Sequence, residues 1–134
     1  MSAFAEEHIA RLGEELGLAL KLEEGFCTLM SEGEFQLEIR ANEEEETLEL
    51  SSVVAPELPE SVGYVEMLEL MNIGLGPLFG RPGLGRDPES GVIVLYAVLS
   101  ATRVSPYDFA EAVKRFMELA RALVARFRAW SENP

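Results

Sequence analysis

The sequence is poor in the side chains that build covalent or metal-bound frameworks. It has one cysteine, Cys27, and one histidine, His8, among 134 residues. One cysteine cannot form an internal disulfide, and these two residues are too few soft ligands for a zinc site. The fold must therefore rest on a hydrophobic core, which one domain over residues 1–134 is long enough to build. We expect no bound metal and no other cofactor, and a reducing compartment fits the single cysteine.

Basic residues are also scarce, because 11 lysines and arginines face 24 acidic residues and leave a net charge of -13. The excess lies in residues 1–60, which carry 16 acidic and three basic residues, whereas residues 61–134 carry eight of each. Such a surface repels the phosphates of nucleic acids and anionic lipids, so neither is an expected partner. Basic or extended apolar polypeptides remain open as partners.

Long apolar runs are missing as well. The longest uncharged stretch, Ser90–Thr102, has thirteen residues, which is short of the roughly 20 that a membrane helix needs. The acidic first twenty residues do not resemble a secretory signal peptide. The sequence therefore predicts a cytoplasmic protein without membrane insertion.

The first half of the chain has a regular order of amphipathic segments. Residues 3–16 place apolar side chains at helical spacing between a candidate cap, Ser2, and the turn residue Gly17. Three strands follow over residues 26–30, 35–40 and 48–54. The short turns between them predict an antiparallel meander, and its polar face is rich in glutamate.

The second half adds two helices and at least one strand. Residues 61–73 predict a helix that is apolar over most of its circumference, which indicates burial on more than one side, including burial against another subunit. The glycine- and proline-rich residues 74–91 predict a flexible loop. Residues 92–99 predict a strand buried on both faces, with a further strand around 97–103 as an option. Residues 105–130 predict the clearest helix, and the whole order predicts an α+β fold with helices covering an antiparallel sheet.

No residue pattern points to catalysis. His8 has no partnered nucleophile and is expected at an exposed or rim position. Cys27 lies in a strand without a neighbouring base, which predicts a buried, inert thiol. Residues 43–46 lack the ligand spacing of a calcium loop and are interpreted as a solvated hairpin tip. The glycines of residues 74–85 follow a helix, whereas a dinucleotide loop follows a strand. We therefore expect no catalytic, cofactor-binding or metal-binding residues.

Four segments, taken together, carry a resemblance to a known family. They are Leu12–Leu18, Leu68–Ile73, Asp87–Leu95 and Phe116–Ala120. In this order, and with this length and acidity, they resemble the class I chaperones of bacterial type III secretion, the Tir-chaperone group. The resemblance covers nearly the whole chain.

This resemblance implies the element order α-β-β-β-α-β-β-α, a homodimer, and no enzymatic activity. It implies an ATP-independent chaperone that binds the extended N-terminal segment of a secreted effector and keeps it competent for export. A client can also add a strand to a sheet edge. The implied dimer contacts include Leu68, Met71, Val94 and Tyr96. The implied effector contacts are apolar residues of the first helix and the sheet, namely Ile9, Leu12, Leu16, Leu29, Leu37 and Ile39.

Two other functions stay open at this point. A regulatory module of the same fold could sequester a partner that is not secreted, and the identity of the client would separate it from an export chaperone. A small enzyme would need a pocket that gathers His8, Cys27 and a carboxylate. It is also open whether all the apolar surface packs inside one subunit.

Overall fold

The computed structural model describes residues 3–31, 35–60, 62–79 and 81–132. Within these ranges the order of helices and strands is α-β-β-β-α-β-β-α, as the family resemblance implies. The elements are α1 (Ala3–Leu16), β1 (Phe26–Ser31), β2 (Phe35–Asn42), β3 (Thr47–Ala55), α2 (Tyr64–Gly74), a 3-10 turn (Gly76–Phe79), β4 (Gly83–Arg86), β5 (Ile93–Ser100) and α3 (Pro106–Glu132).

The strands form one antiparallel sheet in the order β1-β2-β3-β5-β4. The first three strands are the predicted meander, with Leu29 opposite Leu37 and Ile39 opposite Leu50. Because side chains alternate along a strand, this register brings the apolar positions of neighbouring strands to the same face. β1 and β4 are the two edges of the sheet.

Helices α1 and α3 pack against each other, and α3 lies on the apolar face of β2 and β3. The side chains of Leu37, Ile39, Leu50, Phe109 and Phe116 are at most 1% exposed. The apolar residues at alternate positions of the strands thus pack against the apolar stripe of α3. Together they form the core of the subunit. At the surface, Lys114 Nζ lies 3.4 Å from Glu15 Oε2 and links α3 to α1.

Two predicted local signals are confirmed. The backbone N–H of Asp108 donates to Ser105 Oγ at 3.1 Å, so Ser105 caps α3. Gly17 follows α1 with a φ of +70°, the left-handed conformation that favours glycine. The cap predicted at Ser2 lies outside the described residues, as does position 61 of the predicted second helix, and α2 begins at Tyr64.

The prediction of a flexible loop over residues 74–91 is wrong. This segment forms the 3-10 turn and β4, which pairs with β5 from Gly83 opposite Tyr96 to Arg86 opposite Ile93. The glycines serve close packing here: a Cβ atom on Gly83 would lie 2.8 Å from the Tyr96 ring. The second strand of this half is therefore β4, before β5, and not a strand around residues 97–103.

The prediction that β5 is buried on both faces is also wrong. Ile93 and Leu95 point to the helices and are buried, whereas Tyr96 and Val98 point to the opposite face and are 39% and 59% exposed. The helices that pack on the sheet cover one face only, so the apolar residues on the other face of β5 remain at the surface of the single subunit.

Candidate protein-binding surfaces

Exposed apolar side chains lie on α2 and β5, two elements that contact β4. On α2, Tyr64, Leu68 and Met71 are 80%, 43% and 60% exposed, and no residue of this helix is buried. α2 contacts β4, and β4 in turn pairs with β5, whose outer face carries Tyr96 and Val98. We call the exposed apolar side chains of α2 and of the outer face of β5 the α2–β5 surface. Exposed apolar area of this kind is typical of a protein interface.

The placement of α2 is fixed from its other side. Leu70 and Ile73 pack against the core cluster, and the carboxylate of Glu69 forms an ion pair with Arg126 of α3. Helix α2 is thus anchored on one side, and its other side contributes exposed apolar side chains to the α2–β5 surface.

The edge strand β1 marks a second surface, because beyond Phe26 its backbone is open on the side away from β2. Phe26 exchanges two hydrogen bonds with Glu23, of 2.8 and 3.0 Å, on that open side. Gly25 O accepts a bond from Ala41 on the other side. Since backbone groups alternate in direction along an antiparallel strand, Thr28 and Met30 also direct their N–H and C=O groups to the open edge. Within the described residues no strand of the sheet pairs with β1 there.

A groove lies between α1 and the segment that leads to β1. It shares Leu20 and Lys21 with a neighbouring hollow whose lining includes Thr28 of β1. It has a volume of about 430 Å³ and is lined by Ile9, Ala10, Leu20 and Leu22, with Glu6 and Lys21 at its sides. On the outer face of β1, Met30 is 69% exposed and Phe26 is 42% exposed. We call the open backbone of β1, these two side chains and the groove the β1 edge surface.

Comparison with known proteins agrees with this architecture. The sequence profile of the Tir chaperone protein (CesT) family matches residues 7–124. The chain belongs to the Tir chaperone protein (CesT) family. The resemblance stated from the sequence is thereby confirmed, together with the chaperone class. No curated protein sequence gives a significant match.

Several solved structures similar to this CesT-family chain are structures of protein complexes. A chain of the HopA1–SchA chaperone–effector complex is 23% identical, with 96% of this chain and 94% of that chain covered and a TM-score of 0.67. A chain of the Yersinia pestis complex of the type III secretion chaperone SycH with a fragment of YscM2 is 16% identical, with coverages of 90% and 99% and a TM-score of 0.68. A chain of the ExoT–SpcS complex from Pseudomonas aeruginosa is 18% identical, with coverages of 91% and 98% and a TM-score of 0.69. At these identities the likeness shows the fold.

The structure places the residues predicted to contact an effector mostly inside the subunit. Leu16 is partly buried against the core, and only Ile9 borders the groove. The side chains of Ile9, Leu12, Leu29, Leu37 and Ile39 are between 0 and 4% exposed. Their role in effector binding stays a prediction, and their burial does not support it, because a bound chain can touch only accessible atoms.

The side chains that the sequence reasoning missed are Phe26 and Met30. They lie on the opposite face of β1 from Cys27 and Leu29, as a period of two requires. The signal that could have found them is therefore present: large apolar residues occupy the alternate positions of a strand whose other face already supplies the core.

The predicted dimer contacts are accessible in the single subunit. Leu68 and Met71 are three residues apart on one face of α2, and Val94 and Tyr96 are two residues apart on the outer face of β5. Val94 is half-buried, and the other three are exposed. Leu68, Met71 and Tyr96 belong to the α2–β5 surface and Val94 borders it. The role of all four in dimerisation stays a prediction.

The prediction of an exposed or rim position for His8 is wrong. The ring is 5% exposed, its Nε2 donates to the Val104 carbonyl at 2.7 Å, and it meets the Phe109 ring edge to face. These contacts fasten α1 to the start of α3. Cys27 is buried as predicted, and burial raises the pKa of its thiol.

The described part of the chain offers neither a metal site nor a membrane-spanning helix. There, no three histidine, cysteine or acidic side chains gather in a way that could hold a metal ion. Among the described helices, none is both long and apolar enough to cross a bilayer.

Proposed function

We propose that this protein is an ATP-independent, homodimeric chaperone of bacterial type III secretion. As one chaperone domain over residues 1–134, it binds the extended N-terminal segment of a secreted effector in the cytoplasm and keeps that segment competent for export, without catalysing a reaction. The observation that carries the proposal is the open β1 edge surface on a chain of the CesT family. Family membership supports this role over that of a regulatory module with a partner that is not secreted.

The β1 edge surface supports binding of an extended chain. Strand addition uses backbone hydrogen bonds, which demand little of the client's sequence, while pockets for alternate side chains add selectivity. Thr28 and Met30 offer the backbone groups. A strand paired with them would direct alternate side chains towards the helix side, where the groove lies, and towards the outer face beside Met30.

The α2–β5 surface supports dimerisation. In a two-fold dimer the same patch of both subunits comes together, so the patch must be complementary to itself. An apolar helix face without charged residues at its centre meets this requirement. Leu68, Met71, Val94 and Tyr96 are the contacts we propose for it. This surface adjoins β4 and the β1 edge surface lies at the other end of the sheet, so dimerisation and client binding use separate parts of the subunit.

The proposal is tested by recovering the protein from its own cells and recording its native mass spectrum, with the partner sequenced after dissociation. We expect a dimer that carries one secreted protein through the N-terminal region of that protein. Recovery of a monomer, or of a dimer without any protein partner, would contradict the proposal.

Two substitutions at one position test the role of the β1 edge. Thr28→Pro removes a backbone N–H that points to the open edge, a place where a sheet tolerates proline, whereas Thr28→Val keeps the N–H and the β-branched shape. We expect Thr28→Pro to lose the client and Thr28→Val to keep it, with unchanged circular dichroism in both. Equal client binding by the two variants would show that the client binds elsewhere on the subunit.

A further inference from the structure

Acidic side chains are frequent on the two segments that border the β1 edge surface. Glu6, Glu7 and Glu14 are exposed on α1, and Glu23 and Glu24 are exposed in the turn before β1. We call these five residues the acidic flank. Within the described residues none of the five forms an ion pair. Their charge is therefore directed to solvent or to a bound partner, in contrast to Glu15, which is paired with Lys114.

Two residues of the acidic flank line hollows at the β1 edge surface. Glu6 lies at the side of the groove whose wall includes Ile9 and Leu22. Glu23 lines a neighbouring hollow of about 410 Å³ together with Phe26 and Thr28. Lys21 lines both hollows as well, so two carboxylates and one lysine border them and the carboxylates are in excess. The next side chains along an extended client lie within the roughly 8 Å over which charges interact at physiological salt.

The charge also decides which occupant fits. A second copy of this chain would bring its own acidic flank to the same place, and like charges close together oppose association. A client strand rich in glutamate or aspartate would meet the same repulsion. A strand that combines aliphatic and basic residues satisfies the groove, the open backbone and the flank together.

We infer that the client segment bound along β1 is cationic, with arginine or lysine next to aliphatic residues, and that the acidic flank selects it. This inference rests on the proposed function and names the chemistry of the client. The groove supplies apolar contact area, the backbone of Thr28 and Met30 supplies hydrogen bonds, and the flank distinguishes a basic strand from an acidic one.

Three synthetic peptides of twelve residues, each with fluorescein at one end, test the inference by fluorescence anisotropy. In the first, valine alternates with arginine; in the second, glutamate replaces arginine; in the third, serine replaces valine. We expect the valine–arginine peptide to bind at least tenfold more tightly than either of the others at low salt. Equal affinity for the arginine and glutamate peptides would overturn the inference, and equal affinity for the serine–arginine peptide would show ionic association alone.

Matched variants separate the acidic flank from the overall charge of the protein. Glu6→Gln, Glu23→Gln and Glu24→Gln together remove three charges from the flank, and Glu44→Gln, Glu45→Gln and Glu46→Gln remove three from the tip of the β2–β3 hairpin. We expect the flank variant to bind the valine–arginine peptide about tenfold more weakly, since a surface charge contributes roughly twofold, and the tip variant to bind as the parent does. Equal loss in both variants would overturn the inference.

The native client separates this inference from the proposed function. If the client binds the parent and the flank variant equally, the chaperone role stands and the selection of a cationic segment is wrong. If no variant carries a client although the peptide results are as expected, the site selects cationic segments as inferred and the chaperone role is wrong. If the flank variant changes the dimer mass, the flank is a subunit contact and the inference falls.

Discussion

Replacement of Met71 by glutamate should break the dimer without unfolding the subunit. Met71 is 60% exposed on α2, and the helix has no buried residue, so a charged side chain at this position meets water in the monomer. In a two-fold dimer the same side chain would be buried twice, once from each subunit. The effect on association should therefore far exceed the effect on folding.

The size of the effect follows from the exposed fraction. Full burial of a methionine side chain is worth about 1.5–3 kcal/mol, and 60% of Met71 remains to be buried, which gives about 1–2 kcal/mol per subunit. Two copies contribute about 2–4 kcal/mol, which corresponds to a dissociation constant roughly 30 to 1,000 times higher. The cost of burying the new carboxylates adds to this figure.

Sedimentation equilibrium measures the dissociation constant of the dimer, because it distinguishes the subunit of 14.8 kDa from a dimer of twice that mass. The control is Met30→Glu, which makes the same chemical change at a methionine that is 69% exposed on β1. We expect Met30→Glu to keep the parent's dimer constant and both variants to keep the parent's thermal unfolding curve. The reasoning is refuted if Met71→Glu dimerises as tightly as the parent, or if Met30→Glu dissociates the dimer to the same extent.

Two further pairs of variants test the packing of the subunit. Leu37→Ala should lower the free energy of unfolding by about 2–5 kcal/mol, because its side chain is fully buried, whereas Leu18→Ala, at a residue 51% exposed, should change it little; similar urea midpoints for the two would contradict the burial. Gly83→Ala should cost about 1–3 kcal/mol, because its Cβ would lie 2.8 Å from the Tyr96 ring. At Gly85 the nearest atom to such a Cβ is 4.0 Å away, so Gly85→Ala should be milder, and the reverse order of melting temperatures would count against the close packing of β4.

The elements that the sequence predicts correctly are those whose own residues repeat with a clear period. Phe35, Leu37 and Ile39 alternate with polar residues, and β2 buries these three and exposes Gln36 and Arg40. The stripe on α3 is buried along most of its length for the same reason. A local pattern of this kind survives into the fold because one side of each element faces the core.

The prediction fails where the role of a residue depends on packing partners that are distant in the sequence. Glycine permits a flexible loop, but it also permits the close approach of another segment, and the sequence of residues 74–91 does not distinguish the two. The deciding neighbours are Pro77 and Tyr96, whose rings lie against Gly83. Likewise, His8 is buried because Val104 and Phe109 fold over α1, almost a hundred residues further along the chain.

The candidate effector contacts show a related difficulty. An apolar stripe identified by its period is, by the same logic, the side of the element that forms the core, and Leu12, Leu37 and Ile39 are fully buried. A binding surface uses what remains outside the stripe, such as Phe26 and Met30. Only the folded structure, in which the helices cover one face of the sheet, shows that these positions on the other face are exposed.

The uneven distribution of charge along the sequence assigns different roles to the two surfaces. An open strand edge with exposed apolar side chains is prone to pair with another copy of itself, but β1 and its acidic flank belong to residues 1–60, where 16 acidic residues oppose three basic ones. Two copies would repel each other there. The α2–β5 surface lies in residues 61–134, where the charges balance, so two copies can meet through it without that penalty. Under the proposed function, the same charge split disfavours a second subunit at the β1 edge and leaves that edge available to a basic, extended client.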